Sequence, residues 1–263
     1  MLQVNKNLNK THPMDIVSTY LGAHAIPKEY KGNREEYINL MINKIMPYIK
    51  ENNLAEFVDC FCEEGVFTVE EARKILKAGQ ELGLKAKLHA DEIESIGGAE
   101  LAGEIKAVSA EHLVAASDEG IKAMADNNVI AVLLPTTSFY LMLNKFARAR
   151  KMIEEGVPVA LSTDCNPGTS PTESLQSTMT FACFGLRMMP EEIINAMTIN
   201  AACAVGREKE IGSIEIGKKA DLAIFNAKNL NYLFYHFGVN AVDKVIKNGS
   251  IVVQDGKPVY KQK

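Results

Sequence analysis

In the segment Leu88-His89-Ala90-Asp91-Glu92 an imidazole stands three residues ahead of a carboxylate. A neutral imidazole can bind a metal ion, and an acid close to that ion can carry protons to and from a reacting group. Asp91 is an alternative working acid, and Glu92 also reads as a cap on the helix that follows. Asp164 closes the apolar run Val157-Pro158-Val159-Ala160-Leu161-Ser162-Thr163 and leads into Cys165-Asn166-Pro167-Gly168-Thr169. A carboxylate at a strand end is a natural metal ligand, and such a turn exposes backbone N–H groups that suit a carboxylate or carbonyl of a small substrate. The same residues also read as an ordinary Asx turn. His24 and His112, in Ala23-His24-Ala25 and Ala110-Glu111-His112-Leu113, complete the set, while His12 and His236 fit no pattern and read as surface or packing residues.

The elements that must position these groups alternate in type. Short apolar or β-branched runs at 16–25, 56–62, 84–90, 107–113, 129–134 and 157–163 are each followed by polar or Gly-containing residues and then a stretch of helical period. That texture predicts six βα units around a parallel sheet. Thr68 stands three residues before Glu71, a capping box that starts a helix running to about Gly83. Further helices are expected at Ser117 with 120–125, over 143–155, and over 190–205 with Pro190 in the first turn. His24, His89 and His112 then fall at or near the carboxyl ends of parallel strands, where barrel active sites lie. One histidine alone would read as hydrogen-bonded or exposed; three at equivalent strand ends point to a shared site.

After about Arg207 the texture changes to an Ile211-Gly212-Ser213 turn, strands at 223–225, 242–247 and 251–253, and a type I′ turn candidate at Asn248-Gly249. The expected organisation is α/β: a partial TIM (β/α)8-type barrel of about six βα units over 1–206, then part of a small β-sandwich over 207–263.

Composition excludes several classes. With 263 residues and 47 % hydrophobic content, the chain can bury a large core. The 29 basic and 33 acidic residues, net charge -4, form no basic stripe for nucleic acid. No apolar run is long enough to span a bilayer, and the first ten residues are polar, so a cytoplasmic protein is expected. The five cysteines, Cys60, Cys62, Cys165, Cys183 and Cys203, contain no CxxC pair and read as reduced thiols, Cys60 and Cys62 as packing residues.

The strand-end histidines, the Ser162-Thr163-Asp164 opening and the stretch Gly212-Ser213-Ile214-Glu215-Ile216-Gly217-Lys218-Lys219-Ala220-Asp221-Leu222 together resemble the amidohydrolase superfamily. Within it, Thr19-Tyr20-Leu21-Gly22-Ala23-His24-Ala25-Ile26-Pro27, Leu88 to Glu92 and Ser162 to Thr169 are similar to the imidazolonepropionases over almost the whole chain. The resemblance implies hydrolysis of the ring amide of 4-imidazolone-5-propanoate to N-formimidoyl-L-glutamate, with one zinc(II) or iron(III) ion. It implies His89 and Asp164 as metal ligands, Glu92 in substrate contact and proton transfer, and His112 beside the attacked carbonyl. It further implies His24 against the substrate ring, and Asn166, Gly168 and Thr169 at the propionate end or the product. Either Glu92 or His112 is left as the proton carrier.

The sequence departs from that family in one respect: the His-x-His metal motif of the first barrel strand, and the first two βα units, are not in these residues. The resemblance therefore implies an N-terminally truncated form that binds metal weakly alone. The partner expected is the small-molecule substrate imidazolone propionate, with neither nucleic acid nor membrane, and a homodimer is the expected assembly. The competing readings are another cyclic amidohydrolase or deaminase of the same superfamily, and a non-catalytic fragment that folds with a partner chain.

Overall fold

The computed structural model describes residues 1–260. All six expected strands form: β1 (Thr19–Ala23), β2 (Phe57–Cys62), β3 (Lys85–Ala90), β4 (Ser109–His112), β5 (Ile130–Leu133) and β6 (Val159–Leu161). They follow one another in a sheet of order β1-β2-β3-β4-β5-β6, and the registered pairs from β1 to β5 are parallel. Each is shorter than its apolar run because the terminal residues turn into loops. The fold is α/β, with an antiparallel sheet of β7 (Leu222–Phe225), β8 (Val242–Lys247), β9 (Ser250–Gln254) and β10 (Lys257–Pro258) near the C-terminus. Among the described residues no helix is long and apolar enough to cross a membrane.

The chain divides into two compact units, one of Met1–Asn7, Ile16–Val132 and Lys151–Pro158, the other of Leu8–Asp15, Leu133–Arg150 and Val159 onward. In the first unit β2 is buried on both faces, as a parallel strand covered by helices must be. Val58, Cys60 and Cys62 share one face, all fully buried. The helix Val69–Glu81 buries Ala72, Ile75, Leu76 and Gly79. A Cβ on Gly79 would come within 2.5 Å of Val58 Cγ1, so glycine is what lets helix and strand approach. This helix opens with the expected capping box: Thr68 Oγ1 accepts from the Glu71 amide at 3.2 Å, and Glu71 Oε2 accepts from the Thr68 amide at 3.0 Å. The other face of β2, with Phe57, Asp59 and Phe61, continues across β3 (Lys85, Lys87 and His89) to β4 (Ser109 and Glu111) through the registers Phe57↔Lys85, Phe61↔His89, Lys87↔Ser109 and His89↔Glu111. That face is polar and carries the candidate site.

Two helix expectations are corrected. The helix placed over 143–155 forms only at Ala149–Glu154, because Met142 and Asn144 adopt left-handed backbone (φ 53° and 54°) that no helix continues through. A short helix, Pro135–Tyr140, stands before them with proline in its first turn. The helix placed over 190–205 is two, Pro190–Met197 and Ile199–Ala204, broken at Thr198 (φ -119°, ψ -93°). Thr198 Oγ1 donates to the Ile194 carbonyl at 2.6 Å, the kind of local hydrogen bond that competes with the helical ladder.

Candidate metal centre and active site

His89 lies one residue before the end of β3, flanked by β2 and β4. Its Nδ1 lies 3.0 Å from Asp59 Oδ2, and its backbone N–H donates to Asp59 Oδ1 at 3.2 Å. Asp59 thus faces one residue with both oxygens, Oδ1 accepting the backbone N–H and Oδ2 lying beside the ring Nδ1. Asp59, His89 and Glu111 bring ligand-type atoms within 4.8 Å of one another. Glu111 is nevertheless engaged at both oxygens: Oε1 accepts from Ser109 Oγ at 2.5 Å and faces Lys87 Nζ at 3.4 Å, and Oε2 accepts from the Leu88 amide at 3.2 Å. Lys87 Nζ also donates to Ser109 Oγ at 2.7 Å and lies 5.0 Å from the Phe57 ring centroid. A lysine so placed supplies the positive charge Glu111 needs when buried.

The three strand-end histidines come together. The ring centroids of His24 and His89 are 6.4 Å apart, those of His89 and His112 are 5.2 Å apart, and His24 stacks on Phe61 at 5.4 Å. His112, with 4 % of its surface exposed, adopts left-handed backbone (φ 71°), an uncommon conformation for a non-glycine residue and one that recurs at functional sites. Burial pushes its pKa down to about 3, and His89 and His24 press the same way, so the ring is neutral at ordinary pH. Its Nδ1 lies 3.5 Å from Glu92 Oε1.

Glu92 itself stands on a loop held from both ends by carboxylates. Asp91, fully buried, accepts the amides of Ile96 and Gly98 on Oδ1 and of Ala99 on Oδ2, all within 3.0 Å. Glu63, from the end of β2, accepts those of Ile93 and Glu94 at 3.0 and 3.1 Å. Asp91 is therefore fully committed to backbone donors, which removes it as the alternative working acid. Glu92 does not cap the next helix, whose entry is formed by Gly97 and Asp91.

In the second unit Asp164 follows β6 with left-handed backbone (φ 52°), and its Oδ2 accepts from Thr137 Oγ1 at 2.8 Å. Thr136 Oγ1 and Ser170 Oγ both donate to the Thr163 carbonyl, at 2.9 and 2.6 Å, so the carboxylate rests on a fixed backbone. Asn166 organises its own loop: Oδ1 accepts from the amides of Gly168 and Thr169 at 2.8 Å each, and Nδ2 donates to the Asp164 carbonyl at 2.7 Å. The two backbone donors expected to face a substrate are consumed by this Asx turn.

Residues 61–252 match the model of the amidohydrolase family. The chain belongs to the amidohydrolase family. It is 59 % identical over 258 residues to imidazolonepropionase of Alkaliphilus oremlandii, covering 98 % of this chain and 61 % of that protein. It is 58 % identical over 260 residues to imidazolonepropionase of Treponema denticola, covering 99 % of this chain and 63 % of that protein. The chain thus spans about three fifths of these relatives. Among solved structures, a zinc-bound adenosine deaminase from Xanthomonas campestris superposes with a TM-score of 0.79 at 17 % identity, over 100 % of this chain and 66 % of that one. That likeness is one of fold.

Asp59, Glu63, Lys87 and Glu111 escaped the sequence reading. The signal was present, since Phe57-Val58-Asp59-Cys60-Phe61-Cys62 carries a charge in the middle of an otherwise apolar strand. Charged residues are rarely buried without a partner or a task.

Proposed function

We propose that this chain carries the acid–base and substrate-facing part of a metal-dependent site that hydrolyses the ring amide of 4-imidazolone-5-propanoate to N-formimidoyl-L-glutamate. The observation that carries it is the cluster of His24, His89, Glu92 and His112 at adjoining strand ends, in a chain more than half identical to imidazolonepropionases. His89 and Asp164 are the proposed ligands of one zinc or iron ion. The donor types suit such an ion: an imidazole near the end of β3, and a carboxylate after β6 that accepts from Thr137. When bound, the ion polarises the amide carbonyl and lowers the pKa of water toward ~7.

The chain's own residues do the rest. Glu92, fixed by its loop and 3.5 Å from His112, takes a proton from the attacking water and returns it to the ring nitrogen as the C–N bond breaks. His112 supports the carbonyl oxygen or shares the proton. His24, exposed on one side and stacked on Phe61 on the other, offers an edge to the imidazolone ring. Asn166, Gly168 and Thr169 are proposed to shape the pocket at the propionate end or around the product, as a loop whose amides are already given to Asn166 rather than as free backbone donors.

The test is a fusion of this chain to the part of the Alkaliphilus relative that it does not cover, loaded with zinc or iron. Conversion of imidazolone propionate to formimidoylglutamate supports the reading. A folded, metal-loaded fusion that deaminates adenosine or another purine and leaves imidazolone propionate untouched overturns it.

A further inference from the structure

Asp59 is the charged residue nearest to His89 that the proposed chemistry leaves unused. It is 4 % exposed, in the middle of β2, and both its oxygens face a single residue of the neighbouring strand: Oδ1 accepts the backbone N–H of His89, and Oδ2 lies 3.0 Å from its ring Nδ1. The Nδ1 contact is one of charge and proximity, its angle lying outside hydrogen-bond range. At 3.0 Å the negative charge of a carboxylate favours N–H over a bare nitrogen at the ring position that faces it, so a ring with one proton carries it on Nδ1. Metal-binding histidines commonly give their second N–H to a carboxylate, which fixes the tautomer and raises the basicity of the ligating nitrogen. Glu111 cannot do this, because Ser109, Lys87 and the Leu88 amide occupy its oxygens. The same occupancy argues against a metal held among Asp59, His89 and Glu111 themselves, since Lys87 already brings the cation.

We propose that Asp59 is a positioning residue: it holds His89 in the Nδ1–H tautomer and fixes the ring on the sheet, so that Nε2 is the lone pair offered to a metal ion. This rests on the reading of His89 as a ligand. In Asp59→Asn one of the two oxygens becomes an amino group. Either the backbone N–H or the ring N–H then faces a donor, and the ring relieves the clash by moving its proton to Nε2.

The experiment records ring nitrogen shifts of the uniformly 15N-labelled, metal-free chain at about pH 8, above the ordinary imidazole pKa of about 6.5. The His89 signals are assigned by their loss in His89→Gln. The expected result is a protonated Nδ1 and a bare Nε2 in the parent, reversed in Asp59→Asn. Ser109→Ala, which disturbs only the Glu111 side of the cluster, keeps the parent pattern. Addition of Zn2+ alone moves the parent Nε2 signal, and the apparent zinc affinity falls about 10–100-fold in Asp59→Asn. A protonated Nε2 in the parent overturns the proposal even if Asp59→Asn fails to fold, and so does an unchanged tautomer in folded Asp59→Asn or a reversal in Ser109→Ala. If the tautomers behave as expected but zinc never touches Nε2, the hold of Asp59 on the ring is upheld and the metal reading of His89 is the part that fails.

Discussion

The Glu63 carboxylate accepts the amide of Ile93 at 3.0 Å, so the end of β2 grips the loop of β3 directly after Glu92. The same carboxylate takes the amides of Glu94 at 3.1 Å and Glu64 at 3.0 Å, with 3 % of the residue exposed. Three backbone donors converging on one buried anion make a joint that tolerates neither loss of charge nor loss of shape.

Glu63→Gln puts an amino group where an acceptor is required. The expected outcome is a loss of about 1–3 kcal/mol of stability in denaturant unfolding. Faster amide exchange at Ile93 and Glu94, read by mass spectrometry of the corresponding peptide, should accompany it. Stability within about 0.5 kcal/mol of the parent, together with unchanged exchange, would show that the loop is held by Asp91 alone.

Glu92→Gln, in the metal-loaded fusion, is expected to cut turnover by about two to four orders of magnitude, the range for loss of a proton-transfer group, while metal content stays the same. Turnover within a few-fold of the parent would take Glu92 out of the mechanism and leave His112 as the proton carrier.

Much of this architecture was legible beforehand for a physical reason. Buried parallel strands are apolar runs, and a run such as Leu84 to Ala90 followed by a capped helix has few other ways to fold. The histidine cluster was legible because parallel strands in chain order bring successive carboxyl ends to one edge. The helix Pro135–Tyr140 was not, since its buried face is Thr136, Thr137 and Ser138, polar side chains with no hydrophobic period. The tasks of Asp59, Glu63 and Glu111 were not: a charge within an apolar run was visible, but its partner lies on the next strand and pairing is settled by register, which no local pattern of one strand contains.

His24→Ala is expected to raise KM, lower kcat, or both, with no loss of metal. Its ring stands one neighbour away from the proposed ligand, with 6.4 Å between the centroids of His24 and His89. Loss of the ion on elemental analysis would move His24 among the ligands.

The thiols give a pH prediction. Burial, with Asp91 next, pushes Cys62 up to about 12, and burial, with Asp59 next, raises Cys60. A thiol whose folded pKa is raised stabilises the fold fully below its unfolded value of about 8.5 and loses that contribution as pH climbs toward the folded value. Stability should therefore fall between about pH 9 and 12, and Cys62→Ala should flatten that slope by up to about 1.4 kcal/mol per pH unit whatever it costs at neutral pH. Exposed Cys165 should react first with a thiol reagent in the native state. An equal slope in both proteins, or Cys62 labelled as fast as Cys165, contradicts the burial argument.

The last prediction comes from counting ligands. A catalytic zinc or iron site of this kind needs about three or four protein ligands. The residues proposed here for that task are His89 and Asp164, with His112 facing Glu92 instead and Glu111 tied to Lys87 and Ser109. Two ligands hold an ion weakly, because each added protein ligand replaces a water whose release favours binding and fixes the coordination geometry. The 263-residue chain by itself is therefore expected to retain little zinc through dialysis and to hydrolyse imidazolone propionate slowly or not at all, even when recovered as a folded species. The fusion to the uncovered part of the Alkaliphilus relative should gain both properties together. Near-stoichiometric zinc by elemental analysis and near-normal turnover from the 263 residues alone would mean that other side chains complete the site, and Asp59 and Glu111 would then be the first to test as ligands.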